Sequence, residues 1–205
     1  RQDKMNGFYN FARGLVRAVM FIPYRLRRPD NKSVPENGGL IVCANHSSLL
    51  DPVFIAISLK RKLTFMAKKE LFNFKPFGKL ISILGAFPVD REHNDVSAVK
   101  TAIKLLRGGH ALLMFPQGKR CKRAENVRAK HGAVRLAIMT GVPILPVGVS
   151  EDHKAFRKKG FVKIGEPIDY SKYKGMKLTD EECDRLSDEL MEKIYALSSE
   201  GEKND

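Results

Sequence analysis

Tryptophan is absent from this chain of 205 residues, and cysteine occurs only three times. Cys43, Cys121 and Cys183 are widely spaced and form no Cys-x-x-Cys pair, so neither a zinc site nor a disulfide framework is predicted. Reduced thiols in a cytoplasmic setting are the simplest expectation. No run of residues approaches the ~18 uncharged apolar positions that a membrane-spanning helix needs. Hydrophobic residues nevertheless make up 43% of the chain, which predicts a folded globular protein.

Charge is unevenly distributed along the chain. The net charge is +14, although residues 179–205 contain ten acidic and only three basic side chains. The part of the chain before residue 179 is therefore strongly basic, which predicts an anionic partner: nucleic acid, a membrane surface or a phosphorylated small molecule. Aromatic residues are only 8% of the chain, and no helix-turn-helix, RRM or zinc-finger pattern is present. We therefore expect no nucleic-acid partner, although a basic nucleic-acid-binding module stays an alternative.

Short apolar runs alternate with helical patterns from residue 40 onward, which predicts an α/β domain with a mixed, largely parallel central sheet flanked by helices. The predicted strands are Leu40–Ala44, Leu63–Ala67, Ala86–Val89, Ala111–Phe115, Ile144–Val149 and Phe161–Ile164. The predicted helices between them are 52–60, 70–84, 95–107 and 126–140. A capping box at Thr179-Asp-Glu-Glu predicts the start of a closing helix.

Residues 5–28 are predicted to form an amphipathic helix. Its apolar side chains recur at helical spacing, as Phe8, Ala12, Leu15, Val19 and Ile22. Arginines follow Pro23 at the end of the pattern. Such a helix can lie in a membrane interface, and it can equally pack on its own domain.

His46 and Asp51 follow the first predicted strand and form the first candidate site. A carboxylate can hold one nitrogen of an imidazole protonated and so leave the other free to accept a proton. Ser47 or Asp51 can also cap the following helix, and Pro52 suits its first turn. A histidine at a strand end is often structural, and the residues alone leave both interpretations open.

Three other strand ends carry basic residues, at the edge where ligands of parallel sheets bind. Lys68 follows the second strand and Arg91 the third, while the fourth leads into Gln117-Gly118-Lys119-Arg120. A guanidinium makes paired bonds to phosphate or carboxylate, and a glycine turn with basic neighbours suits an anion. Surface ion pairs or a solvated basic face would explain the same residues.

These stretches occur together in the order typical of one family. Asn45-His46-Ser47-Ser48-Leu49-Leu50-Asp51 resembles the His-x4-Asp motif of the glycerolipid acyltransferases, and is most similar to the motif of bacterial 1-acylglycerol-3-phosphate acyltransferases. Three later stretches resemble that family's second, third and fourth motifs: 85–91, 115–120 and 142–147. Together the four motifs span most of the chain between residues 40 and 150.

The resemblance implies a peripheral or monotopic enzyme at the cytoplasmic face of the cell membrane. It would transfer a fatty acyl group from acyl-CoA or acyl carrier protein to the sn-2 hydroxyl of 1-acylglycerol-3-phosphate, giving phosphatidic acid, without a metal or other cofactor. His46 would be the general base and Asp51 would orient it. The family fold implies a catalytic sandwich over 31–205 and a membrane-binding helix over 1–30.

The resemblance also implies a set of substrate-binding residues: Lys68, Arg91, Gln117, Gly118 and Arg120. The family's third motif usually reads Phe-Pro-Glu-Gly-Thr-Arg, whereas this chain has Gln117 and Lys119 in place of the Glu and the Thr. The departure leaves open another lysolipid or an amino-lipid as the acceptor. A thioesterase, with water in place of the acceptor, is a further alternative.

Overall fold

The alternating pattern of the chain builds one sheet with helices on both faces. The structure, a computed structural model, describes residues 13–20, 24, 29–83, 85–89, 96–122, 125, 127–151 and 160–200. Its strands are β1 (Leu40–Ala44), β2 (Leu63–Lys68), β3 (Ala86–Val89), β4 (Ala111–Met114), β5 (Ile144–Val149) and β6 (Val162–Ile164). Its helices are α1 (13–20), α2 (Asp51–Ser58), α3 (Lys75–Ile83), α4 (Val96–Arg107), α5 (Gly132–Thr140) and α6 (Asp180–Glu200). Two 3-10 turns cover Lys69–Phe72 and Ser171–Tyr173.

The strand order of the sheet is β3-β2-β4-β1-β5-β6. The first five strands in this order are parallel, and β6 is antiparallel to β5. β1 therefore lies between β4 and β5, with Cys43 opposite Met114 on one side and opposite Pro146 on the other. The largely parallel sheet predicted from the sequence is confirmed. Because the five strands share a direction, the loops after them emerge at one edge.

Successive residues of β1 point to opposite faces of the sheet, and both faces are buried. Leu40, Val42 and Ala44 pack in a cluster with residues of α2. Ile41 and Cys43 pack in a second cluster with residues of α4, α5 and α6. A strand buried on both faces explains why its sequence is a continuous apolar run rather than an alternation.

Two predicted helices differ from those observed. The helix predicted over 70–84 is divided. Pro76 has no N–H group that could donate to the carbonyl of Phe72, and accordingly a 3-10 turn ends at Phe72 and α3 begins at Lys75. The helix predicted over 126–140 begins only at Gly132. The amide of Lys130 instead donates to the carbonyl of Pro116 (2.8 Å), which ties this segment to the loop after β4.

The closing helix begins where the capping box predicts. The amide of Glu182 donates to Thr179 Oγ1 (3.2 Å), and the amide of Thr179 donates to Glu182 Oε2 (2.8 Å). The helix packs tightly on β5, because a Cβ atom on Gly148 would collide with the backbone of Leu197 and Ser198. Position 148 therefore requires glycine for the approach of α6.

The predicted N-terminal helix is described only at residues 13–20 and 24, and the remainder of 5–28 lies outside the described residues. Val16 and Met20 pack against the core on the α2 side of the sheet. Arg13 donates to the carbonyls of Leu59 (2.9 Å) and Lys60 (3.1 Å), just after α2. Leu15 and Val19, by contrast, are exposed. In the described part of the chain, no helix has the length and apolar character to cross a membrane.

Arg61 joins three loops at the amino edge of the sheet. Its guanidinium donates to the carbonyls of Pro35 (2.7 Å) and Gly38 (2.6 Å), which precede β1, and to that of Gly109 (3.0 Å), which precedes β4. Arg61 itself precedes β2. One side chain thus fixes the entries to three neighbouring strands.

We expect Arg61→Ala to destabilise the protein by about 1–2 kcal/mol, since charged hydrogen bonds to half-exposed carbonyls are lost. For a chain of this size the melting temperature should fall by roughly 3–6 °C. Arg107→Ala, at an exposed arginine in the last turn of α4, is the matched control and should change stability by less than roughly 0.5 kcal/mol. Equal melting temperatures for the two variants in a calorimetric scan would contradict the role of Arg61.

Candidate active site

Asn45 is the first residue after β1, where the chain leaves the sheet. Its side chain is buried and exchanges two hydrogen bonds with the backbone of Val149, each 2.8 Å long. The amide side chain thereby continues the pairing of β1 with β5 by one step. The next residue, His46, is free of the sheet ladder and lies at its carboxyl edge.

His46 and Asp51 form a close pair. His46 Nδ1 lies 2.9 Å from Asp51 Oδ2, and the Asp51 side chain is fully buried. The same oxygen accepts hydrogen bonds from the amides of Ser47 (2.7 Å) and Ser48 (2.8 Å). A carboxylate is only an acceptor, so Nδ1 carries the proton, and in the neutral imidazole Nε2 then keeps its lone pair. This arrangement suits a general base.

The prediction that Ser47 or Asp51 caps α2 is wrong. Leu50 occupies the N-cap position, and no side chain caps the helix there. Asp51 turns back toward the amides of the preceding loop instead of toward the helix, because those amides and the His46 ring converge on one oxygen. Proline does stand in the first turn of α2, as predicted.

The loop after β4 holds His46 from the other side. The amide of His46 donates to Gln117 Oε1 (2.7 Å), and its carbonyl accepts from the amide of Cys121 (2.8 Å). The imidazole stacks on Phe115, with ring centroids 4.0 Å apart and planes 18° apart. Ring and backbone of His46 are thus both fixed, which is the preorganisation that proton transfer in a site requires.

Gln117 is buried, with 2% of its surface exposed. Besides accepting from His46, it donates from Nε2 to the hydroxyl of Tyr195 (2.9 Å) in α6. Tyr195 is a residue of this site that the sequence reasoning missed. It lies 78 positions from Gln117 in sequence, on a helix whose pattern predicts only packing, so no local signal identifies it.

Gly118 makes the turn of this loop. It adopts φ of 70°, a conformation that favours glycine, and its amide donates to the carbonyl of Phe115 (3.0 Å). The Lys130 side chain covers the turn, since a Cβ atom on Gly118 would lie 2.9 Å from Lys130 Cε. Glycine is therefore favoured here by the backbone angle, whereas the lysine side chain could move aside for a Cβ atom.

Two of the basic candidates, Arg120 and Lys68, lie at the same edge as His46. Arg120 is exposed and directly precedes Cys121, whose amide bonds to the His46 carbonyl. Lys68 ends β2, which is two strand spacings, about 10 Å, from β1; its ammonium lies 3.4 Å from Glu70 Oε1. Arg91 lies outside the described residues. Among the residues described, no group of three or more His, Cys, Asp or Glu side chains is arranged to hold a metal ion.

Comparison with known proteins gives consistent matches. The family model described as Acyltransferase matches residues 25–150, a range that includes His46, Asp51 and the loop after β4. The chain is 34% identical over 166 residues to the 1-acyl-sn-glycerol-3-phosphate acyltransferase of Bacillus subtilis (strain 168), covering 78% of this chain and 82% of that protein. It is 34% identical over 206 residues to the protein of the same name from Streptococcus pneumoniae (strain ATCC BAA-255 / R6), covering 97% of this chain and 75% of that protein.

A solved structure has the same fold. The crystal structure of the 1-acyl-sn-glycerophosphate (LPA) acyltransferase PlsC from Thermotoga maritima superposes with a TM-score of 0.74 at 24% sequence identity, covering 97% of this chain and 82% of that one. Its fold supports the sandwich expected from the four motifs. Since the family model spans more than half of the chain and the bacterial relatives match over most of their length, this chain belongs to the acyltransferase family of enzymes.

Proposed function

We propose that this enzyme transfers a fatty acyl group from acyl-CoA or acyl carrier protein to the sn-2 hydroxyl of 1-acylglycerol-3-phosphate, forming phosphatidic acid. The relatives from B. subtilis and S. pneumoniae carry the name of this activity. The observation that carries the mechanism is the His46–Asp51 pair, in which a fully buried carboxylate lies 2.9 Å from Nδ1.

His46 acts on the acceptor hydroxyl as a general base. Asp51 keeps the proton on Nδ1, so Nε2 is free to take the proton of the acceptor hydroxyl. As that proton leaves, the hydroxyl oxygen attacks the carbonyl carbon of the thioester. The tetrahedral intermediate collapses, the carbon–sulfur bond breaks, and the leaving thiolate takes the proton from the imidazolium. The products are the new ester and a free thiol, and His46 returns to its neutral form. The co-substrate supplies the acyl group, and the proposal invokes no cofactor.

Direct transfer is favoured over an acyl-cysteine intermediate. All three cysteines are free and buried. Burial raises the pKa of the Cys43 thiol far above its ordinary value, and burial is also the largest of the causes that raise the pKa of Cys121. Because the thiolate is the nucleophilic form, these two side chains are poor nucleophiles.

Arg120 is the described side chain that we assign to the acceptor's phosphate. It is exposed and lies one residue from the contact between Cys121 and His46. A guanidinium there can bind phosphate with two parallel hydrogen bonds while the sn-2 hydroxyl reaches Nε2. Lys68 adds positive charge at the same edge, and Arg91 stays a predicted phosphate ligand.

The glutamine at position 117 does not by itself argue against a phosphate acceptor. Its two polar ends are engaged within the protein, by His46 and Tyr195. The replacement of the usual Glu by Gln therefore changes the residue that holds His46 in place, and does not by itself change a contact with the phosphate. That Gln117 and Gly118 contact substrate stays a prediction, and another lysolipid or an amino-lipid stays the second candidate acceptor.

We propose that the enzyme binds the lipid surface peripherally, at the cytoplasmic face of the membrane. Leu49, three residues after His46, is exposed, as are Leu71 and Phe74 between β2 and α3. Lys69 and Lys75 beside them are also exposed. Apolar side chains bordered by lysines suit an anionic bilayer surface. The exposed Leu15 and Val19 of α1 add to this proposal.

We expect His46→Ala to reduce thiol release from acyl-CoA in the presence of lysophosphatidate by about 10²–10⁴-fold, the usual contribution of a general base. Asp51→Asn should also lower the rate strongly, because an amide no longer fixes the tautomer of His46. His110→Ala, at an exposed histidine on the opposite edge of the sheet, is the matched control.

Thiol release that persists at the wild-type rate in His46→Ala would contradict the mechanism. The same assay with a panel of acceptors tests the substrate. Preference for a phosphate-free acceptor would reject lysophosphatidate, and thiol release that does not require any acceptor would indicate a thioesterase.

We expect Arg120→Ala to raise the KM for lysophosphatidate by roughly 10–100-fold, since charge-assisted bonds to phosphate are lost. The KM for a monoacylglycerol, which has no phosphate, should not change. Lys172→Ala, at an exposed lysine near the amino end of β5, is the control for loss of positive charge. A KM for lysophosphatidate equal to that of the wild type would remove Arg120 from the phosphate site.

We expect Phe74→Ser to weaken binding to vesicles of phosphatidylglycerol and phosphatidylcholine by about tenfold, because an aromatic ring no longer leaves water on docking. Phe74 is 69% exposed, and Met176, which is 60% exposed, provides the matched control as Met176→Ser. Flotation of the vesicles measures the bound fraction. Identical binding of both variants would show that this surface does not contact the bilayer.

A further inference from the structure

The orientation of the Gln117 amide is determined by its neighbours. The backbone amide of His46 is a donor, so the atom 2.7 Å from it must be the side-chain oxygen Oε1. Nε2 then points to the hydroxyl oxygen of Tyr195, which accepts its hydrogen bond at 2.9 Å. The side chain of Gln117 thus bridges the general base of the proposed mechanism and the C-terminal helix.

The hydroxyl of Tyr195 has a defined position because α6 is held closely on the sheet. The backbone at Leu197 and Ser198 approaches Gly148 of β5 so tightly that no side chain fits between them. Leu190 and Ile194 of the same helix are buried in the core. The packing of α6 therefore fixes the position of the Tyr195 hydroxyl beside Gln117, in the loop after β4.

We propose that Tyr195 is a positioning residue for His46 and acts through Gln117. The proposal rests on the role of His46 given above. The His46 amide selects the rotation of the Gln117 amide group, and Tyr195, which accepts from Nε2, anchors the other end of that side chain. Without the hydroxyl, Nε2 loses its acceptor, so the Gln117 side chain is held less firmly and the backbone amide of His46 has a less fixed acceptor.

The consequence for the reaction is specific. Asp51 and Phe115 still hold the imidazole ring, so the base is displaced slightly rather than lost, and a small displacement of a base lowers the rate of the chemical step. The acceptor's phosphate is bound elsewhere, at Arg120 in our proposal. Loss of the Tyr195 hydroxyl should therefore lower kcat and leave the KM of both substrates unchanged.

The first experiment compares Tyr195→Phe with Tyr173→Phe in the full chain. Both variants remove one hydroxyl from a half-buried tyrosine, and Tyr173 lies in the 3-10 turn after β6, away from His46. We expect Tyr195→Phe to lower kcat about threefold to tenfold, the effect of one neutral hydrogen bond, with each KM within twofold of the wild type. Tyr173→Phe should keep the wild-type kcat.

The second experiment repeats Tyr195→Phe in two Gln117 variants. In Gln117→Leu there is no amide for the hydroxyl to anchor, so removing the hydroxyl should cause no further loss. In Gln117→Glu the carboxylate accepts from the His46 amide and from the tyrosine hydroxyl. Removing that hydroxyl leaves a buried charge with one donor fewer, so the loss should exceed tenfold.

Two results would overturn the proposal while leaving the general base intact. One is a wild-type kcat in Tyr195→Phe together with an inactive His46→Ala. The other is the same loss from Tyr195→Phe in all three backgrounds, which would mean that Tyr195 acts without Gln117. An active His46→Ala would instead reject the proposed function itself. If Gln117→Leu does not fold, the Gln117→Glu comparison still decides.

Discussion

The parallel pairing of β1 between β4 and β5 is the constraint on which the site depends. It places the ends of three strands side by side, so the loop that carries His46 meets the loop that carries Gln117 on one side and the backbone of Val149 on the other. Because alternate residues of β1 pack into the clusters on the two faces of the sheet, a shift of its register would disrupt the packing on both faces. The strand core thereby fixes the position of a polar site just beyond it.

The polar groups beside this core are satisfied by one another. Asp51 is a buried charge, and three donors converge on one of its oxygens, which is the condition for keeping a carboxylate ionised out of water. Gln117 is buried without a charge and joins a backbone amide to a tyrosine hydroxyl. Each of these groups is costly alone, so together they allow few alternative arrangements of His46.

The acidic C-terminal helix is part of the same assembly. Its first turns face basic side chains around α5. Arg128 Nη2 lies 2.9 Å from Asp184 Oδ2, and His131 Nδ1 lies 3.3 Å from Oδ1 of the same carboxylate. Arg135 pairs with Asp180. Some of the acidic side chains that are concentrated at the end of the sequence thus pair with basic side chains of the same domain. Its last turns bring Tyr195 to the loop after β4. A helix that the sequence marks only as a packing element therefore reaches the site.

The sequence by itself determined the strands and the largely parallel sheet, because these depend on short-range patterns: apolar runs and turn residues. It offered the His46–Asp51 pair as one of two interpretations, which the order of the four motifs favoured. It misplaced the start of α5, where the contact of Lys130 with Pro116 outweighs helical periodicity. It also missed the break before α3, where Pro76 lacks the N–H group that would continue the helix. Only the tertiary structure decided that Asp51 faces the loop amides, that Gln117 supports His46, and that Tyr195 joins them. Those contacts cross between strands and helices that are distant in sequence, and no local pattern encodes which side chains will meet.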